Sequence, residues 1–160
     1  MDTKNLDNKS IMPNLKKSTV AVIGASGYGG LQTIRLLRDH PLFEITYLGG
    51  ERSAGKYWNT IYPYLPLEKD LIIEIPDPKE VAKKAENVIL SLPNGLASQL
   101  VPQLLKNNLR IIDLSADYRY RSLNLWKKVY ISEADKYKRI DEDLCNEAVY
   151  GLPEWNRNKI

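Results

Sequence analysis

The sequence predicts an α/β fold: a parallel sheet of five or six strands with helices on both faces. Three observations predict it. Short apolar, β-branched runs end in glycine or proline, as in buried parallel strands. Stretches with helical spacing follow several of them. The alternation continues from Ser18 to Ser115, and a strand–helix–strand order with one short helix per crossover folds back onto the same sheet.

Each element has its own signal. "STVAVIG" (18–24) reads as the first strand, and the helix after it carries Leu31, Ile34, Leu37 and Leu36 at helical spacing before Pro41 stops it. "LFEITYLGG" (42–50) is the second strand, "KYWNTIYPYLPLEKD" (56–70) a loop rich in Tyr and Pro, and "LIIEI" (71–75) a short strand. In "DPKEVAKKAE" an aspartate before Pro78 suits an N-cap followed by proline in the first turn. "NVILSLP" (87–93) is a strand, "GLASQLVPQLLKNN" (95–108) a helix that Pro102 must start or kink, and "LRIIDLSAD" (109–117) a fifth strand. Beyond Asp117 the pattern supports only loop and short helix.

At 160 residues the chain is long enough for one domain with a real core and too short for two. With 43% hydrophobic and 27% charged residues, it is expected to fold. A net charge of +3, with basic residues scattered among acids, argues against a nucleic-acid partner. No apolar run approaches the ~20 residues that span a bilayer, so no membrane association is expected. A single cysteine, Cys145, excludes an internal disulfide framework and fits a reducing cytoplasm. Residues 1–17 are polar, lack an apolar signal core, and are read as a disordered tail. The domain proper is then 18–160.

Gly24, Gly27 and Gly30 form G-x-x-G-x-x-G, with a further glycine at 29, between the first strand and the first helix. A strand turning sharply into a helix presents unpaired N–H groups that attract phosphate, and glycines let a pyrophosphate approach. Ser26 adds a hydroxyl. The bland alternative is a turn that serves helix packing alone. An acid about 20 residues on commonly binds the adenosine ribose. Here "LGGERSAGK" offers Glu51 for a ribose 2′-hydroxyl, or Arg52 with Ser53 for a 2′-phosphate. These point to NAD and NADP respectively, and all three residues have a plain reading as solvated loop.

"GASGYGG", "LRDHP", "AGK", "SLPNG", "IDLSADYR" and "VYGLPEWNR" occur in the order and approximate spacing of the N-acetyl-gamma-glutamyl-phosphate reductase family. This is the arginine-pathway branch of the aspartate-semialdehyde dehydrogenase superfamily, and the resemblance covers residues 18–160. It implies a Rossmann-like NADP(H)-binding domain, less readily an NAD(H)-binding one, followed by an α+β domain for catalysis and homo-oligomerisation. The implied reaction reduces an acyl phosphate to an aldehyde with release of phosphate: a cysteine forms a thioester, and NADPH delivers hydride to it. By resemblance Gly24, Ser26, Gly27, Tyr28, Gly29 and Gly30 form the phosphate loop. Ser91, Leu92, Pro93 and Asn94 lie beside the nicotinamide, with Asn94 standing where many relatives have histidine. Arg119 meets a substrate phosphate or carboxylate with Ser115 as partner, its plain alternative being a salt bridge to Asp117.

The family's nucleophile lies in an "N-P-G-C-Y-P-T"-like stretch after "YGLPE", and this sequence ends at Ile160 before reaching one. Cys145 precedes "YGLPE" among acidic neighbours that disfavour a thiolate, and is read as a bystander. His40, the one histidine, is read as a helix-end residue. No catalytic residue and no metal ligand is therefore expected in the chain. Two further readings stay open: a stand-alone module that senses or carries a nicotinamide dinucleotide, and the same domain from a lysine-pathway relative.

Overall fold

The computed structural model describes residues 16–130 and 143–160. Almost all of the tail expected over 1–17, and residues 131–142, lie outside the described residues. Five strands, β1 (Ser18–Ile23), β2 (Phe43–Gly49), β3 (Ile73–Glu74), β4 (Asn87–Leu90) and β5 (Arg110–Asp113), form one sheet in the order β3-β2-β1-β4-β5. Every pairing is parallel. The expected fold class is the observed one, at the lower of the two strand counts.

The helices are α1 (Tyr28–Leu37), α2 (Trp58–Ile61), α3 (Pro78–Lys84), α4 (Ala97–Lys106) and α5 (Leu123–Val129), followed by short turns at Leu144–Glu147 and Pro153–Asn156. Strand alternation splits the core in two. Val20, Val22 and Leu48 face Ile34 of α1 and Trp58 of α2, whereas Ala21, Ile23, Val88 and Leu90 face Val81 of α3 and Val101 and Leu104 of α4. Both faces of β1 are thereby buried, which is why its sequence is continuously apolar.

Local chemistry explains the boundaries. The Asp77 carboxylate accepts from the N–H groups of Lys79 (2.8 Å) and Glu80 (3.1 Å), capping α3 just ahead of Pro78 as expected. α1 starts at Tyr28, so that Gly29 and Gly30 lie inside its first turn, and Leu36 points to solvent while Ile34 is buried. Pro102 does not start its helix: α4 begins five residues earlier and carries the proline within. The Tyr-rich loop contains α2, because Trp58 is fully buried and its Nε1–H donates to the Leu65 carbonyl at 2.8 Å. Strand β3 keeps only two of the five residues expected, since neighbouring Ile72 instead makes an isolated antiparallel bridge to Tyr57.

Among the described residues no helix is long and apolar enough to cross a membrane, and no cluster of three or more His, Cys, Asp or Glu could hold a metal ion. Removing the cap in Asp77→Ala should lower stability by about 1 kcal/mol, because two N–H groups lose their acceptor. Urea unfolding measures the change; an unaltered midpoint would mean that water replaces the carboxylate at no cost.

Candidate functional site

The loop that joins β1 to α1 is built by what its glycines lack. Gly24 has φ +85° and donates, with Ala25, to the Gly49 carbonyl at the end of β2 (2.8 and 3.1 Å). A side chain on Gly24 would run into the Ser91 carbonyl at the end of β4, and one on Gly30 into the backbone of Gly24 and Ala25. One on Gly29 would lie 2.5 Å from Ser91 Oγ. Gly27 differs: a Cβ there would meet only the Gly24 carbonyl oxygen, at an ordinary 3.4 Å. The protein's own packing explains the first three glycines and leaves room for a side chain only at the fourth.

That space lies at the N-terminus of the ten-residue α1. Gly27 is the N-cap, no side chain caps the end, and no acid sits in the first turn. Tyr28 is 94% exposed and fills none of it. Uncapped N–H groups at the positive end of a helix, beside a glycine whose Cβ position meets only one backbone oxygen, suit the pyrophosphate of a dinucleotide. The peptide between Ser26 and Gly27 is held on both sides: Tyr62 Oη–H donates to the Ser26 carbonyl (3.2 Å), and Gly27 N–H to the Gly24 carbonyl (3.1 Å). Tyr62 is itself placed by its ring contact with Trp58, centroids 4.3 Å apart.

Glu51, Arg52 and Ser53 occupy the turn after β2, next to the glycine loop. Its ends are pinned by Gly50 N–H to the Glu74 carbonyl (2.9 Å) and Gly55 N–H to the Ile73 carbonyl (2.8 Å). Gly50 lies beside Ser26, whose Oγ would be 3.7 Å from a Cβ on that glycine. Glu51 and Arg52 are exposed, and among the described residues neither enters an ion pair.

The loop after β4 runs from Ser91 through Leu92, Pro93 and Asn94 to a left-handed Gly95 (φ +88°). It is tied to the loop after β5 by side chains rather than by strand pairing. Ala116 N–H donates to Asn94 Oδ1 at 3.0 Å. Asp117, fully buried, accepts from Gly95 N–H through Oδ1 (2.5 Å) and from Ser98 N–H, in the first turn of α4, through Oδ2 (2.9 Å). The Asn94 amide oxygen is thus a structural acceptor between the two loops.

Ser115 is more constrained than a substrate contact needs. Its hydroxyl donates to Asp113 Oδ2 (2.8 Å) and accepts from Asp117 N–H (3.2 Å), leaving one lone pair and no proton to offer. Burial pushes the Asp113 carboxyl above its ordinary value, against the pull of two hydrogen bonds from Ser115; the nearby Asp117 adds to the rise and Arg119 opposes it. The Arg119 guanidinium donates to Tyr130 Oη at 2.9 Å, and Asp117, its expected salt-bridge partner, is taken up by backbone N–H groups. Arg119, Asp113 and Ser115 border a groove of about 760 Å³ between β5 and the segment carrying Glu147, Tyr150 and Ile160.

Neither residue set aside as a bystander enters this arrangement. Cys145 is buried at 1% exposure in its short helix. His40 lies beyond the end of α1, where its Nδ1 accepts from Leu42 N–H (3.1 Å) and its ring meets Phe43. The sequence reading missed Tyr62 and Asp117 as supports of the two loops. Tyr62 had no signal within a loop of many tyrosines, whereas the turn sequence Pro93-Asn94-Gly95 did signal that a sharp bend needed fixing.

Comparison with known proteins agrees with this architecture. Residues 19–160 match the family described as "Semialdehyde dehydrogenase, NAD binding domain". The N-acetyl-gamma-glutamyl-phosphate reductase of Prochlorococcus marinus (strain MIT 9313) is 60% identical over 149 residues, 93% of this chain and 42% of that protein. Its counterpart in Parasynechococcus marenigrum (strain WH8102) is 58% identical over 137 residues, 86% of this chain and 38% of that protein. The chain thus spans about two fifths of the length of these relatives. Among solved structures, aspartate semialdehyde dehydrogenase with NADP from Candida albicans superposes with a TM-score of 0.58 at 22% identity, over 78% of this chain and 40% of that one. Aspartate semialdehyde dehydrogenase II from Vibrio cholerae gives 0.51 at 22% identity, over 66% of this chain and 30% of that one. With its parallel five-stranded sheet, glycine turn and uncapped α1, the chain belongs to the semialdehyde dehydrogenase NAD-binding domain family.

Proposed function

We propose that the chain is the cofactor-binding portion of an N-acetyl-gamma-glutamyl-phosphate reductase of arginine biosynthesis, and that it works with NADP(H) in the cytoplasm as part of a homo-oligomeric enzyme. The observation that carries the reading is the uncapped start of α1 at Gly27, where a Cβ would meet only the Gly24 carbonyl oxygen at 3.4 Å, in a loop whose Gly24 and Gly29 pack on Ser91. The 60% identity to a relative of that name supports the substrate, N-acetyl-glutamyl phosphate. Exposed Arg52, in no ion pair among the described residues, supports with Ser53 a 2′-phosphate; Glu51 is its competitor for NAD.

The residues divide the work as follows. The first-turn N–H groups of α1 and the Ser26 hydroxyl hold the pyrophosphate. Arg52 and Ser53 hold the adenosine end, and the Ser91–Asn94 loop supports the nicotinamide, which when bound supplies the hydride. Arg119 would trade its bond to Tyr130 for a substrate oxyanion, which a guanidinium grips through two N–H groups. Cys145, buried and outside the resembled motif, takes no part in this division.

NADPH and NADH titrations followed by nucleotide fluorescence should give tighter binding of NADPH, and Arg52→Ala should weaken NADPH about tenfold while leaving NADH unchanged. Equal or tighter NADH binding would transfer the ribose to Glu51.

Two glycine variants should separate folding from binding. Gly24→Ala forces a Cβ against the Ser91 carbonyl at positive φ, and should cost about 1–3 kcal/mol or more in denaturant melts. Gly27→Leu should fold with little loss yet bind no dinucleotide, since its side chain takes the room left at that position. Retained affinity in Gly27→Leu would remove the loop from the cofactor site.

The chain alone should not catalyse phosphate-dependent NADP reduction with N-acetyl-glutamate semialdehyde, because its one cysteine, Cys145, is buried; loss of a nucleophile elsewhere costs about six orders of magnitude. The assay compares wild type with Cys145→Ser. Turnover that the serine variant abolishes would make Cys145 catalytic and overturn its reading as a core residue.

A further inference from the structure

We propose that Asp117 is the positioning residue that fixes the shape of the nicotinamide-side loop, and so governs affinity for the nicotinamide half of the cofactor alone. The inference rests on the proposed dinucleotide reading and adds a residue to it. Asp117 lies on the loop after β5, yet both of its carboxylate oxygens are spent on the loop after β4: Oδ1 on Gly95 N–H and Oδ2 on Ser98 N–H. Its exposure is 0%, and among the described residues no cation pairs with it. A buried carboxylate is expensive unless fixed donors surround it. Here the donors are two backbone N–H groups and the positive end of the ten-residue α4, whose own N-cap residue, Leu96, has no side-chain acceptor to offer.

The consequence is geometric. Gly95 is held at φ +88°, which turns the chain back after Asn94, and the Asn94 side chain takes the Ala116 N–H one residue before Asp117. Two ties therefore cross between the same loops in opposite senses. They fix the segment that begins at Ser91, whose carbonyl faces Gly24 and whose hydroxyl faces Gly29. Ser115 completes the support by accepting the Asp117 N–H (3.2 Å). None of these bonds touches Gly27, or the turn that carries Arg52. The turn that carries Arg52 has its own supports in the Gly50 and Gly55 N–H groups, so Asp117, which reaches the glycine loop only through Ser91, acts on the side of the site away from the adenosine end.

Asp117→Asn tests this with nearly the same shape. The amide keeps one acceptor and turns an NH2 donor toward a backbone N–H, so one tie is lost and the loop must relax. Affinity of the full chain is measured for NADPH and for 2′-phospho-ADP-ribose, which lacks the nicotinamide. The expected result is about tenfold weaker NADPH binding with unchanged 2′-phospho-ADP-ribose binding. Equal loss for both ligands would overturn the proposal and make Asp117 a residue of the fold alone; no loss for either would overturn it too. If wild type binds neither ligand, the dinucleotide reading fails and takes this inference with it, whereas binding of both by wild type separates the two questions. Should Asp117→Asn fold poorly, amide hydrogen exchange of wild type replaces it. The Gly95 and Ser98 amides should be slowed further by NADPH and not by 2′-phospho-ADP-ribose; slowing by both, or by neither, would refute the proposal.

Discussion

The approach of β1 to β4 at their C-terminal ends is the constraint on which the site depends. The Gly24 backbone passes the Ser91 carbonyl with no room for a side chain, and only a residue free to adopt φ +85° can turn there. From that contact follow the direction in which α1 leaves the sheet, the seating of Gly30 on the turn, and the position of Ser91 under the first helical turn. β1 and β4 are also where the strand order reverses direction across the sheet, the place at which a parallel α/β sheet opens a crevice. Topology opens that crevice, and Gly24 keeps it narrow enough for one helix end to serve both sides.

Much of this was legible in the sequence. β1 announces itself because both its faces are covered, so Val20 to Ile23 cannot alternate with polar residues. Asp77 before Pro78 signalled α3 because capping is a local interaction that needs no knowledge of the rest of the chain. The glycine spacing marked the loop, but could not tell which glycine meets protein and which has room beside it; that depends on Ser91, more than sixty residues away. Pro102 reads as starting or kinking its helix, and only the first alternative is excluded. A proline reads as a helix boundary, yet α4 runs through it with Val101 and Leu104 buried against the sheet, and that packing outweighs one missing N–H.

The substrate side was the least legible. "IDLSADYR" marks a site by resemblance, but the roles within it are distributed by contacts that no pattern encodes. Asp113 binds Ser115, Ser115 supports Asp117, and Asp117 reaches back to α4, so three polar residues in five positions hold the structure together, even though Asp113 and Ser115 border the groove beside Arg119. A residue type suited to phosphate recognition is not evidence that its proton is available.

Strand β5 has a further consequence. It lies at the border of the sheet, and among the described residues no strand pairs with its outer side. Ile112 and Leu114 there are more than half exposed. An open border of this kind is a template onto which any extended apolar peptide can add, including the same strand of another molecule. Arg110 and Asp113 bracket the two isoleucines with opposite charges, in the manner of residues that guard a sticky strand. Antiparallel self-association would set each charge against its opposite and be tolerated; parallel addition would set like against like and be resisted.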